Sequence, residues 1–260
     1  MPTVAPAGRA LHYFVVQYRR WWRTSLLISF INPALYLAAM GVGLGGLIDH
    51  GGSAAPLGGH SYLAFLAPGL LAATAMQTAV GENTWPVGNA MRWSRSYVAM
   101  VATPLRPSDA MAGHVLFAGA RAGLGAGAFL VVAALFGALD SPWAVAAWPV
   151  AVLCGLAHAA PAAAFSVGRT HDQAYAALQR FVVIPLFLFS GVFFPISQLP
   201  AVLRVVAWAT PLWHGVALCR DLCLGQAHPL PALGHVAYLA CWALVGGWLA
   251  AAAYRKALAT

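Results

Sequence analysis

The side chains that could carry out chemistry are few in this sequence, and they form no catalytic pattern. Its 260 residues include six acidic side chains, nine histidines, four cysteines and one lysine, Lys256. A loop that grips phosphate needs the order Gly-Lys-Ser/Thr, whereas Lys256 lies between an arginine and an alanine. The histidines and cysteines lack the spacing of zinc ligands. The sequence therefore predicts a protein that is not an enzyme and that holds no metal or cofactor of its own.

One glycine run fits a nucleotide-binding pattern by spacing alone. Residues 41–46, Gly-Val-Gly-Leu-Gly-Gly, match G-x-G-x-x-G, but no predicted strand precedes them and their surroundings are apolar. We interpret them as small residues that let helices pack closely. Gly119, Gly123 and Gly127 recur at every fourth position and predict a second strip for close helix packing.

The acidic side chains bear on the choice between two kinds of transport. Ion-coupled carriers usually place carboxylates within the membrane, and many consist of two repeated halves. Here no repeat is visible, and every acidic residue lies at or near the end of an apolar run. These residues are Asp49, Glu82, Asp109, Asp140, Asp172 and Asp221. The pattern argues against an ion-coupled secondary transporter of a hydrophobic substrate, which we keep as the alternative function.

The composition indicates a membrane protein. The chain is 61% hydrophobic and 8% charged, with a mean hydropathy of +0.75, whereas about 25% of the residues in soluble domains are charged. The net charge of +8 comes from arginines in short loops, so it indicates membrane topology and not nucleic-acid binding. We predict an all-α polytopic membrane protein with a single domain over residues 1–260.

Apolar runs predict six transmembrane helices and one broken segment. Residues 9–23 predict an amphipathic helix at the membrane surface, because basic and aromatic side chains fall on opposite faces. The polar loop 82–108 includes a predicted helix over about 87–101. Prolines divide the apolar residues 197–221 into two re-entrant helices on the outer side, each about 13 Å long and too short to cross. The spans are predicted at about residues 25–48, 60–81, 109–138, 143–167, 177–196 and 231–253.

The basic residues predict the orientation. Eleven of them lie in the two termini, the loop 82–108 and the connection 168–180, whereas Arg204 and Arg220 lie on the other side. The positive-inside rule then places both termini in the cytoplasm, as expected for a multi-pass protein of the plasma (bacterial inner) membrane. Arg121 falls within the third span, where we expect it to snorkel to the inner headgroups.

Several stretches resemble the ABC-2 type exporter permeases. Ser-Gly-Val-Phe-Phe-Pro at 190–195, Leu-Pro at 199–200, Thr-Pro-Leu-Trp-His at 210–214 and Arg220 with Gly225 are similar to the late signature of that family. Thr210 stands where asparagine is common. Met91 to Arg106 resembles the cytoplasmic coupling segment of the family. The likeness covers nearly the whole chain and is strongest to permeases that export nodulation lipo-oligosaccharides and drugs.

The resemblance implies a transport subunit that is powered by another protein. Two ATPase subunits, which hold ATP and Mg²⁺, would dock on the cytoplasmic loop, and the permease would pair with a second copy or a sister permease in membrane lipid. The cargo implied is a lipid-linked saccharide, a lipid or a hydrophobic drug that leaves the cytoplasm.

The family motifs map onto two sets of residues. Arg92 and Arg95 would lie near an acidic rim of the ATPase groove, with Trp93, Tyr97 and Val98 as apolar anchors. The full coupling set is Gly88, Met91, Arg92, Trp93, Arg95, Tyr97, Val98, Thr103, Pro104 and Leu105. The outer gate or path would be lined by Phe189, Ser190, Gly191, Phe193, Phe194, Pro195, Pro211, Leu212 and Trp213.

Overall fold

Eleven helices make up most of this computed structural model, which describes residues 6–50 and 59–259. A 3₁₀ turn, Pro142–Ala146, leads into the seventh helix, and another, Ile196–Gln198, precedes the ninth. The second helix, α2, continues from Trp22–Tyr36 through a wider π-helical stretch, Leu37–Leu44, to Gly45–His50. The others are α1 (Pro6–Tyr18), α3 (Tyr62–Glu82), α4 (Trp85–Arg92), α5 (Ser96–Val101), α6 (Pro107–Leu135), α7 (Ala147–Ser166), α8 (Gln173–Phe189), α9 (Ala201–Trp208), α10 (Pro211–Cys223) and α11 (Pro229–Leu258).

Within residues 6–50 and 59–259, five stretches are long and apolar enough to cross a membrane. They are Trp22–Leu47, Tyr62–Arg92, Pro107–Leu135, Pro142–Ser166 and Pro229–Leu258. Helices α9 and α10 are bent by 82° and would form a sixth span only if the two were counted together. The chain is therefore a multi-pass, all-α membrane protein, which confirms the fold class predicted from composition. The glycine run 41–46 lies inside the helical α2, not in a loop that could cradle phosphate.

Two helices differ from their predicted bounds at a turn. The amphipathic helix predicted over 9–23 ends at Tyr18, because residues 19–21 form a turn before α2. The helix predicted as a fifth span over 177–196 runs instead from Gln173 to Phe189, and with 17 residues it is shorter than the five stretches named above. It ends there because Gly191 takes a left-handed conformation, with φ of +80°, that side chains disfavour. Ser190 to Pro195 therefore form a loop.

Helix α7 lies at the centre of the bundle and packs against α3, α6, α10 and α11. Small residues make its contact with α6 close. A side chain added at Gly119 would lie 2.7 Å from Leu156, and one at Gly123 would lie 3.2 Å from Val152. Next to Gly127, the indole of Trp148 donates a hydrogen bond of 2.8 Å to the carbonyl of Gly123. The predicted glycine strip thus faces α7 at short range.

The bend between α9 and α10 follows from local sequence. Pro211 occupies the first position of α10, where its missing N–H costs nothing and its fixed φ suits a helix start. Thr210 caps the same helix by accepting a hydrogen bond of 3.4 Å from the Trp213 amide. Both features start a new helix and prevent α9 from continuing. The predicted pair of short helices is therefore present in the structure.

Candidate functional site

The predicted coupling segment folds as two short helices, α4 and α5, joined by an exposed turn. We call the end of the bundle that carries them the coupling end. The single helix predicted over 87–101 is wrong, because Arg95 adopts a left-handed conformation with φ of 50° between the two helices. At this turn Trp93 is 78% exposed, and Arg95 and Val98 are exposed beside it. These three predicted contacts face outward at the turn between the two helices.

The remaining predicted coupling residues divide between surface and interior. Thr103 and Pro104 are exposed, and Met91 and Leu105 are half-buried. Gly88 is buried, where a side chain would lie 2.5 Å from the hydroxyl oxygen of a neighbouring tyrosine on α8. The segment thus presents one face outward and packs the other against the spans.

Arg92 is already bound within the chain. Its guanidinium donates a 2.7 Å hydrogen bond to the Thr170 carbonyl and forms an ion pair with Asp172, both just before α8. It also lies over the ring of Tyr175. Arg92 therefore ties α4 to the start of α8, and its expected contact with an acidic rim of a partner stays a prediction.

Tyr97 also differs from its expected position. It was expected to anchor a partner through its ring, but the structure buries it completely. Its hydroxyl contacts the imidazole Nδ1 of His114 on α6 and lies 3.2 Å from the hydroxyl of Tyr254 on α11. The ring also packs edge-on against Phe14 of α1. A buried side chain cannot serve as a surface anchor, so Tyr97 instead holds α5 to three other helices.

The direction of each hydrogen bond around Tyr97 follows from one carbonyl. The Nε2 of His114 lies 2.8 Å from the main-chain oxygen of Glu82, which can only accept, so Nε2 carries the proton. In a neutral ring Nδ1 must then accept, and Tyr97 donates to it while accepting from Tyr254. Burial raises the pKa of the Tyr97 hydroxyl well above its ordinary value, so the hydroxyl keeps the proton that it donates.

Glu82 has a second contact through its side chain. Its carboxylate accepts a 3.1 Å hydrogen bond from Nε of Arg121 on α6. The Nη1 of the same guanidinium donates to the hydroxyls of Tyr18, at 2.7 Å, and Ser25. Arg121 was expected to snorkel to headgroups, but it is directed into the bundle because Glu82, 39 residues earlier, supplies a counter-charge there. Glu82 thus contacts Arg121 through its carboxylate and His114, the partner of Tyr97, through its main-chain oxygen.

The predicted gate residues lie at the opposite end of the bundle, which we call the distal end. The loop Ser190 to Pro195 is held there by Arg220 of α10. Its guanidinium donates to the carbonyl oxygens of Gly191, at 2.8 Å, and Phe65, at 3.2 Å, and lies 3.8 Å from the centre of the Phe65 ring. This half-buried cation therefore holds the loop against α3.

Two residues of α3 complete this contact. The Tyr62 hydroxyl donates to the carbonyl of Phe193 at 3.2 Å. A side chain at Gly69 would lie 2.9 Å from the carbonyl oxygen of Val192, so only glycine lets the loop approach this closely. Ser190, which is buried, hydrogen-bonds the Thr210 hydroxyl at 3.2 Å. The loop is thus fixed to α3 on one side and to the start of α10 on the other.

The other predicted gate residues surround this loop. Phe193 packs edge-on against Phe187, with ring centres 5.0 Å apart. Pro211 and Leu212 are buried, and Trp213 is half-buried. Phe194 and Pro195 are also half-buried, and Phe189 is 40% exposed. The structure therefore brings the predicted gate set together, at the end of the bundle opposite the coupling set.

Comparison with known proteins decides the family. The family model described as ABC-2 type transporter matches residues 12–224. The chain belongs to the ABC-2 type transporter family. It is 32% identical over 263 residues to nodulation protein J of Rhizobium leguminosarum bv. trifolii, covering 98% of this chain and 97% of that protein. It is 31% identical to nodulation protein J of Rhizobium meliloti, with 90% of this chain and 87% of that protein covered.

Membership of the ABC-2 type family makes this chain a membrane transport subunit and implies an ATP-binding-cassette partner. Several residues that the structure places at these two sites were not among the predicted site residues. Arg220 could have been found from the sequence, because it is the arginine of the R-x-x-x-x-G part of the ABC-2 late motif. Arg121 could also have been found, because a charged residue inside a span is unusual. His114, Glu82 and Tyr254 gave no local signal, because their partners are distant in sequence.

Proposed function

We propose that this chain is the permease subunit of an ATP-driven exporter whose ATPase is a separate protein. The main support for the proposal is the arrangement of side chains on α5 at the coupling end. There α5 presents Val98 outward next to Trp93, while Tyr97 of the same helix is bonded to α6 and α11. A force applied to the exposed face is thus delivered to the spans.

In this proposal two ATPase subunits dock on the exposed turn of two permease subunits, the second being another copy or a sister permease. ATP and Mg²⁺ are held by the ATPase. Both termini lie in the cytoplasm of a bacterial inner membrane, so the distal loop 190–195 faces outward and forms part of the outer gate. The cargo is a lipid-linked saccharide, a lipid or a hydrophobic drug, in keeping with the resemblance to lipo-oligosaccharide and drug exporters.

Replacement of one exposed tryptophan tests the docking step. Trp93→Ala removes a large apolar side chain from the proposed interface, where such residues commonly contribute about 2 kcal/mol or more. The affinity of the permease for the ATPase is then expected to fall about 30-fold, and recovery of the ATPase with a tagged permease should fall with it. Trp143→Ala is the matched control, because Trp143 is 68% exposed and lies at the distal end.

Two results would count against the proposal. Equal recovery of the ATPase with both variants would remove the docking assignment. Recovery of the permease without any ATPase, together with export that survives ATP depletion but stops when the ion gradient is dissipated, would favour the ion-coupled alternative.

A further inference from the structure

A polar cavity lies between α2, α3 and α6 and includes Arg121 and Ser25 in its lining. Its volume is about 490 Å³, within the range of small-ligand pockets, and it is open on one side. Along α2 its lining extends from Trp21 to Tyr36, a distance of about 22 Å at the rise of a helix. The cavity therefore begins at the coupling end and continues to the depth of the spans.

The walls of the cavity carry hydrogen-bonding groups that the protein does not use. Within residues 6–50 and 59–259, the side chains of Asn32, Gln77 and Thr78 make no hydrogen bond, and all three line the cavity. Thr74, one turn before Thr78, differs because its hydroxyl donates to the carbonyl of Leu70 at 2.8 Å. Polar groups at membrane depth are costly unless they are bonded to something. These three side chains are therefore available to a ligand with donors and acceptors.

The charge at the cavity is balanced. Arg121 lines it, but Nε of its guanidinium is paired with the Glu82 carboxylate at 3.1 Å. An anionic headgroup would have to compete with that carboxylate for the one cation present. A neutral group with many hydroxyls or amides can instead bond Asn32, Gln77 and Thr78 without disturbing the pair. The electrostatics thus favour a sugar over a phosphate.

The surroundings of the cavity favour a ligand that is attached to a lipid. The outer face of α2 exposes apolar side chains, including Leu27, Ile31 and Leu35, at the same levels as the cavity wall. An exposed apolar face on a span suits contact with acyl chains. A ligand that enters from there needs an apolar part in the bilayer while its polar part occupies the cavity.

We propose that this cavity binds the sugar headgroup of a glycolipid, with Asn32, Gln77 and Thr78 as binding residues. This inference rests on the proposed export function, because a ligand of the cavity is taken to be the cargo. It then selects the lipid-linked saccharide from the three proposed cargo classes. The larger apolar groove of about 780 Å³ between α2, α6 and α7 offers few polar groups, so it gives no comparable selectivity.

Photolabelling in lipid nanodiscs tests the site without the ATPase. The probe is a dodecyl maltoside that carries a diazirine on its sugar, added to the full chain below the micelle concentration. Labels are expected on α2 and α3 around residues 32 and 74–78. Unmodified dodecyl maltoside should displace the probe, whereas dodecylphosphocholine and free maltose should not.

The matched pair Thr78→Val and Thr74→Val makes the test specific. Both changes keep the shape of the side chain and both lie on α3, but only Thr78 has a hydroxyl free for the ligand. Labelling should fall about fivefold in Thr78→Val, the effect of one lost hydrogen bond, and further in Gln77→Leu or Asn32→Leu. Thr74→Val should label like the unmodified protein.

Several results would overturn the inference. Equal labelling of the two valine variants would show that the free hydroxyl does not bind the sugar. Displacement by dodecylphosphocholine would show that the ligand needs no sugar. Displacement by free maltose would show that it needs no lipid chain. Failed labelling with intact ATP-dependent export would reject this site and leave the proposed function standing. Specific labelling of a chain that binds no ATPase would support the site and reject the proposed function.

Discussion

Replacing Tyr97 by phenylalanine separates two functions of the coupling end, namely docking of the ATPase and transmission of its motion to the spans. The change keeps the buried ring but removes the hydroxyl, so His114 loses a donor and Tyr254 loses an acceptor. Each buried polar group left without a partner costs about 1–3 kcal/mol, which gives about 2–6 kcal/mol for both. That loss is comparable to the benefit of burying the ring itself, about 1.5–3 kcal/mol. The attachment of α5 to the spans should therefore weaken strongly.

The two functions of the coupling end should then respond differently to Tyr97→Phe. ATPase recovery should stay near that of the unmodified protein, because Trp93 and Val98 still face outward. Export into inverted vesicles should fall at least tenfold while ATP hydrolysis continues, because motion of α5 no longer reaches α6 and α11. Thermal unfolding should also occur at a lower temperature, since the variant loses part of a buried network.

Two variants calibrate this result. Tyr254→Phe removes only the donor to Tyr97 and leaves the bond to His114, so its effect should be smaller. Tyr13→Phe changes a tyrosine of the same region that is 40% exposed, and should have no effect. Two results would refute this prediction. One is that Tyr97→Phe loses the ATPase, as is expected for Trp93→Ala, and the other is that Tyr97→Phe exports normally.

Two further predictions concern the distal loop. Gly69→Ala places a methyl group 2.9 Å from the carbonyl oxygen of Val192, so overpacking of about 1–3 kcal/mol should lower the melting temperature. Gly81→Ala, in the last turn of the same helix, meets no atom within 4 Å and should melt normally. Arg220→Lys keeps the charge but cannot reach both carbonyls, and each lost bond should cost about 1.5–3 kcal/mol in thermal unfolding. Normal melting of Gly69→Ala and Arg220→Lys would show that α3 does not hold the loop.

The helices of this protein were predictable because their causes are local. Long apolar runs predicted the spans, and prolines predicted the break that separates α9 from α10. The end of α8 was harder to place. The apolar sequence continues through Phe194, and only the left-handed Gly191 ends the helix at Phe189. Hydrophobicity alone cannot show such a turn, because the residues on both sides are apolar.

The roles of single residues were less predictable because their partners are distant in sequence. Arg92 and Tyr97 lie in a polar loop, where basic and aromatic side chains usually indicate a surface for a partner. Asp172, 80 residues after Arg92, and Tyr254, 157 residues after Tyr97, bind them within the chain instead. Trp93 and Val98 have the same local context but remain exposed. Only the packing of the helices distinguishes the two pairs.

Helix α3 is the element that connects the two ends of the molecule. Its 21 residues extend about 31 Å, from Tyr62, which is bonded to the distal loop, to Glu82, which is bonded to His114 and Arg121. Arg220 also binds α3, so the loop has three attachments to this helix when the close approach at Gly69 is included. Packed helices move as rigid units because their cores resist continuous deformation. Within the proposed function, a shift that begins at Tyr97 therefore reaches both the polar cavity and the distal loop through α3, without crossing a flexible connection.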